Sequence, residues 1–303
     1  MSEPSTARVS AVLAVALVAI SLAAILVRLA DAPAVVVAFW RMAIACTLLL
    51  PWTLRALRRT PLTRRNAWPA VAAGVLLGLH FATWISSLAY TTVAASVTLV
   101  ATVPIWVALI AWLVLAHTPT LTVLLGVLTA VAGGAVIAFG DLTGATSVAP
   151  AQTLGNVLAV IGAVSMAGYL LLGRSAQRRG LSLQAYVGVA YAVAALVLLP
   201  LPLVFGYAYL AYPADTIAWV VALALVPQLL GHTGINFAMK HFDPTKVSTA
   251  TLMEPLGAAV LAWWLFAELP ATLTIVGAVL VLFGVAMTVR VRAALHGRDA
   301  SGT

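Results

Sequence analysis

A chain of 303 residues that is 63% hydrophobic and 8% charged, with a mean hydropathy of +1.10, is far from a soluble domain, in which roughly a quarter of residues are charged. A hydrocarbon core about 30 Å thick takes about 20 residues per helix, so this length holds about ten spans and no sizeable soluble domain. The net charge of +8 would suit nucleic acid only if the basic residues formed a patch, and their positions between apolar runs exclude that.

The predicted spans follow one another with short connections. The first, 9–27, is longer than the 7 to 15 residues of a signal-peptide apolar region and reads as a membrane span. The second, 34–53, carries Trp40, Arg41 and Cys46, the only cysteine, which excludes disulfides within the chain. The third, 67–89, carries Gly74, Gly78, His80 and Trp84; the two glycines, four apart, suit close helix contact inside a bundle. The fourth, 94–116, carries Thr98, Thr102, Pro104 and Trp106, and the fifth is 121–140. A stretch rich in Thr, Ala, Ser and Pro at 141–153 reads as a linker. Spans at 154–173 and 183–206 follow, then 215–238 with Pro227, Gln228, His232 and Asn236, 246–266 with Thr249, Glu254 and Pro255, and 271–290.

If these ten spans alternate across the membrane, 14 of the 16 Lys and Arg fall on one side, from Arg8 to Arg298, against Arg28 on the other and Arg41 within a span. The positive-inside rule then places both termini in the cytoplasm. The chain also contains its own copy. Thr98 aligns with Thr249, Pro104 with Pro255, Pro119 with Pro270, Gly126 with Gly277 and Gly133 with Gly284 without a gap, and His80 falls near His232. Five spans per copy is odd, so the second copy enters from the opposite face. The expected fold is an all-α integral membrane protein of ten transmembrane helices in two inverted five-helix repeats, 1–145 and 146–303, forming one membrane domain.

Few residues can carry chemistry at membrane depth. Glu254 lies roughly 12 Å into its span at 1.5 Å per residue, and a carboxylate there must face a partner, water or the bundle interior. It is either a proton or substrate-amine site, or the partner of Arg41 in helix pairing. His80 and His232 relay protons or bind a carboxylate in one reading, and bond a neighbouring helix in the other. Trp84 and Trp106, with Trp40 as a third, either stack on a substrate or fill packing space, whereas Trp52, Trp68, Trp219, Trp263 and Trp264 suit the interfacial belt. Pro104, Pro227 and Pro255 mark helix kinks, and the matched pair Pro104 and Pro255 are candidate hinges. No P-loop, nucleophile elbow or zinc helix is present, so neither an enzyme nor a cofactor or metal site is expected.

The run Phe39-Trp40-Arg41, the stretch from Leu79 to Trp84, Thr102-Val103-Pro104 and Met253-Glu254-Pro255, in this order over a duplicated ten-span chain, resemble the EamA-type transporters of the drug/metabolite transporter superfamily. Where Ala267-Glu268 stands, the family more often has Gly-Glu. The aromatic pattern around His80, Trp84 and Trp106 is most similar to bacterial exporters of aromatic and other neutral amino acids. The resemblance implies a secondary transporter or facilitator in the bacterial inner membrane that needs only its small-molecule substrate and the bilayer, as a monomer. Its cavity would lie between the repeats, with Trp84 and Trp106 as walls and His80, Thr102 and Asn236 as polar contacts. A multidrug exporter or lipid-carrier flippase is the alternative, since the same apolar cavity would serve.

Overall fold

The computed structural model describes residues 5–115, 120–143, 151–242, 247 and 250–299, and every regular element among them is helical. Pro119, Thr249 and residues 144–150 of the expected linker at 141–153 lie outside the described residues, and the ends of that linker are taken up by the helices on either side. In chain order, the first expected span is α1 (Thr6–Ser21) with α2 (Ala23–Ala30), the second α3 (Ala34–Arg59) and the third α4 (Arg64–Ser87). The fourth is divided into α5 (Val93–Val100) and α6 (Val103–Leu115), and α7 (Leu121–Thr143) is the fifth. Next come α8 (Gln152–Arg178), α9 (Leu183–Leu198) with the short α10 (Leu201–Val204), and α11 (Ala214–Leu223), which runs through a π-helical segment, Ala224–His232, into α12 (Thr233–His241). Two further helices, α13 (Met253–Phe266) and α14 (Thr272–Asp299), complete the described chain.

Helix starts follow from local chemistry. The hydroxyls of Ser5, Thr63, Thr92 and Ser182 each accept the N–H three residues on, and Asn66 returns a bond to the Thr63 N–H, closing a capping box. Among the described residues, seven helices are long and apolar enough to cross a membrane; the fifth, ninth and tenth expected spans take the form of shorter apolar helices, Leu121–Ile137, Met253–Phe266 and Thr272–Met287.

The prolines act where the sequence places them. Pro104 has no N–H to give and its ring opposes the carbonyl four residues back, so α5 stops at Val100 and α6 starts at Val103. The Thr102 hydroxyl takes up the Leu99 carbonyl at 2.5 Å, replacing part of the lost ladder. A matching turn at Leu252 precedes α13 and Pro255. Pro227 sits inside the π segment, where the Thr233 hydroxyl bonds the Gln228 carbonyl five residues back at 3.3 Å.

Packing directions can be read from the glycines. A methyl group on Gly74 would stand 2.6 Å from Val193 Cβ and one on Gly78 3.1 Å from Val197 Cγ1, so α4 lies parallel to α9 at close range within this chain. On α7 and α14 the contact is backbone to backbone: a methyl on Gly133 would stand 2.6 Å from the Gly277 carbonyl oxygen, one on Gly277 2.6 Å from that of Gly133, and one on Gly284 would collide with that of Gly126. As positions rise along α7 their partners fall along α14, so these helices are antiparallel. The largest buried cluster draws on α2, α3, α4, α5, α8, α9, α11 and α13, and the most voluminous fully buried side chains among the described residues are Arg41, Tyr169, Tyr186, Tyr191 and Phe81.

Candidate functional site

Arg41 is a cation with 0% exposure, held against the Phe81 and Trp84 rings of the largest apolar cluster among the described residues. Its Nε donates to Gln228 Oε1 at 2.8 Å, and its guanidinium carbon lies 4.1 Å from the centroid of the Phe81 ring and 5.8 Å from that of Trp84. Phe81 and Trp84 sit three apart on α4 and so share a helix face, while Gln228 comes from the π segment of the second half. An extra residue in a helical turn rotates the remainder of the helix by about 100°, which is how the π segment resets the faces presented by Gln228 and His232.

The magnitudes are unequal. Taking a guanidinium out of water costs several kcal/mol even after relaxation, against about 2 kcal/mol each from a desolvated cation–π contact and one charge-assisted hydrogen bond. Arg41 Nη1 and Nη2 have no acceptor among the described residues, and neither do Trp84 Nε1 and Gln228 Nε2. The centre of the molecule is therefore rich in donors and short of acceptors.

Several residues singled out in the sequence converge here. His80 stacks on Trp84 with centroids 5.9 Å apart and planes 4° from parallel, and its Nδ1 lies 2.9 Å from the Gly162 carbonyl oxygen. A carbonyl only accepts, so Nδ1 carries the hydrogen of this bond. His232 meets the Phe81 ring edge-on at 5.6 Å. Asn236 Nδ2 donates to the Tyr169 hydroxyl at 3.3 Å, and Tyr169 stacks on Tyr186 at 5.9 Å.

Others stand apart. Trp106 Nε1 donates to Thr102 Oγ1 at 3.0 Å, so this pair bonds within its own helix break. Trp40 Nε1 is bonded to the Tyr209 carbonyl at 2.8 Å. Glu254, half-buried in the first turn of α13 beside the buried Pro255, makes no ion pair with Arg41 within 4.0 Å, and the two act on one another only through their fields. The guanidinium platform of Phe81 is legible in the sequence only as part of the aromatic run ending at Trp84. Gln228 is visible there as an amide at membrane depth, but nothing in its neighbourhood points to Arg41.

Two bridges join the first half of the chain to the second at either end of this centre. At one, Arg28 Nη1 lies 3.8 Å from Glu268 Oε2, Glu268 Oε1 accepts the Val93 N–H at 2.7 Å, and Arg28 Nη2 donates to the Thr91 carbonyl at 3.0 Å. Beside it opens a cavity of about 350 Å³ lined by Arg28, Asp31, Pro33, Ile85 and Leu88 among others. At the other end, Thr60 Oγ1 lies 2.9 Å from Ser182 Oγ. Among the described residues, no group of three or more His, Cys, Asp or Glu is arranged to hold a metal ion.

A family model described as the EamA-like transporter family matches the chain over residues 6–139 and again over 153–290. A solved structure titled only "Crystal structure of protein" matches 98% of this chain and 100% of its own at 18% identity with a TM-score of 0.64, and 27 solved chains match in all; at that identity the likeness concerns the fold alone. No curated protein matches the chain.

Proposed function

The chain belongs to the EamA-like transporter family, and from that premise we propose that it exports small, largely neutral metabolites, chiefly amino acids with aromatic or apolar side chains, by alternating access across the bacterial inner membrane. It is a multi-pass membrane protein of a transporter family, not of an enzyme family. The observation that carries the substrate reading is the buried centre where Arg41, His80 and Trp84 of the first half face Gln228 and His232 of the second: apolar rings beside unsatisfied polar groups suit a cargo with an apolar body and a polar head.

Ten spans in two inverted repeats, 1–145 and 146–303, are part of the same proposal. The glycine contacts support it. Gly126 aligns with Gly277 and Gly133 with Gly284, while the contacts join Gly133 to Gly277 and Gly126 to Gly284. A contact that exchanges equivalent positions in this way is the signature of a two-fold axis. With an odd number of spans per half, that axis lies in the membrane plane and the binding centre lies near it. Both termini then face the cytoplasm, with Pro104 and Pro255 as paired hinges and the Thr102–Trp106 pair turning toward the cargo as α5 and α6 move. A monomer suffices for this mechanism.

Uptake of a labelled amino-acid panel into proteoliposomes, with and without an imposed pH gradient, tests the reading. We expect the aromatic and branched apolar members to be carried. Movement of none of them, with transport of cationic dyes or a polyprenyl lipid instead, would replace amino acids by a drug or lipid cargo. Glu254 is the acidic residue nearest the centre and the proposed proton site. Glu254→Gln is expected to abolish stimulation by the gradient while leaving exchange at equal pH within about twofold; an unchanged gradient response excludes that role.

A further inference from the structure

We propose that the free edge of the Arg41 guanidinium, together with Trp84 Nε1, is a carboxylate anchor, so that the cargo is recognised by an acid group and not by its apolar body alone. This rests on the transporter reading above and names the head group that the same centre takes. Three buried donor atoms, Arg41 Nη1 and Nη2 and Trp84 Nε1, have no partner among the described residues. Buried donors are nearly always satisfied in proteins, and a guanidinium more than any.

The surroundings orient the group. Gln228 fixes Nε, and Phe81 covers one face of the guanidinium, which leaves Nη1 and Nη2 as the edge not engaged by the protein. Two parallel N–H groups in one plane match the two oxygens of a carboxylate, whereas a lysine in this place would present a point charge. Trp84 lies within 5.8 Å of the same guanidinium and offers one donor and no acceptor. The groups nearest the guanidinium that could accept from it are the Tyr191 hydroxyl, the half-buried Glu254 carboxylate and the His80 ring, and none of them makes a hydrogen bond or ion pair to Arg41 Nη1 or Nη2.

Access follows from the two-half construction. Arg41 and Trp84 belong to the first half and Gln228 to the second, so separating the halves uncovers the guanidinium edge, and closing them seals an occupied site away from water. A carboxylate held there would be desolvated together with its cation, which strengthens the bond and rewards closure only when an acid is present.

The test uses the full-length purified protein and two probes of equal shape, phenylacetate and phenylacetamide, at matched ionic strength, with thermal unfolding as readout. Phenylacetate is expected to stabilise wild type at concentrations at least tenfold below those needed for phenylacetamide. Arg41→Gln should erase the preference and Arg41→Lys should keep part of it. Trp84→Phe, which retains a ring but no N–H, should weaken phenylacetate severalfold without changing the response to the amide, and keeps the test open if Arg41→Gln does not fold. Equal stabilisation of wild type by acid and amide, or an undiminished preference in Arg41→Gln, overturns the anchor. If the amino-acid panel is not transported but the Arg41-dependent preference for phenylacetate is present, the cargo assignment fails and the anchor stands; amino-acid transport with no acid preference fails the anchor alone.

Discussion

Ala267 closes α13 in the left-handed region, at φ 51° and ψ 27°. A Cβ in that region costs roughly 1 kcal/mol, which glycine would not incur. Ala267→Gly is therefore expected to stabilise the protein by about 0.5 kcal/mol, after the entropy that glycine adds to the unfolded chain, read as a small rise in Tm. Its neighbour has the opposite prognosis. Glu268 satisfies the Val93 N–H and faces Arg28, so Glu268→Ala strands a buried donor and is expected to cost about 2 kcal/mol, with Glu268→Gln losing less because an acceptor survives. Thermal unfolding of the two variants side by side checks the order, and equal losses would mean that the Val93 bond contributes nothing. Single residues are only half legible in a sequence. Arg28 and Glu268 stand out as charges on the same side of the spans, yet a bridge across 240 positions has no sequence signature.

At the scale of elements, prolines can be read directly and π turns cannot. The chemistry of Pro104 is local, because a missing N–H and a ring clash break the ladder in any surroundings, so the break before it follows from the residue alone. The π segment and α12 pack on α1, where Gly231 and Gly234 meet Ile20 and Ala16, and no local spacing encodes that contact. The sequence offers Glu254 as a partner for Arg41 only because the two are opposite charges at membrane depth, and nothing local marks Gln228 as the side chain that meets the guanidinium Nε. The broken fourth and ninth spans carry the next prediction. Pro104→Ala restores an N–H in the middle of an apolar run and favours a continuous helix by about 3 kcal/mol. If the break bends during transport, Pro104→Ala and Pro255→Ala each slow turnover severalfold while phenylacetate binding stays within twofold. Wild-type turnover in both variants would make the breaks static features of packing.

For the molecule as a whole, the duplicated prolines and glycines make the two halves visible in the sequence itself, because internal alignment needs no partner. How the halves touch is beyond the reach of alignment. The glycine seam of α7 and α14 is a backbone contact with no room for a methyl group, a geometry suited to an axis in place of a sliding surface. If the halves rock about that axis, the bridges at the two ends cannot both persist through a cycle: Arg28 with Glu268 belongs to one end, Thr60 with Ser182 to the other, and each joins one half to the other. The Thr60 and Ser182 oxygens are 2.9 Å apart, so the two side chains meet at this end and cysteines placed there would face one another across the contact. Cys46 is the only native thiol, so Cys46→Ala gives a background in which Thr60→Cys with Ser182→Cys can be oxidised selectively. Oxidation is expected to cut turnover at least tenfold, reduction to restore it, and the single-cysteine variants to be indifferent to both. Transport by the oxidised protein at the reduced rate would mean that this end never opens, and alternating access about the α7–α14 seam would have to be abandoned.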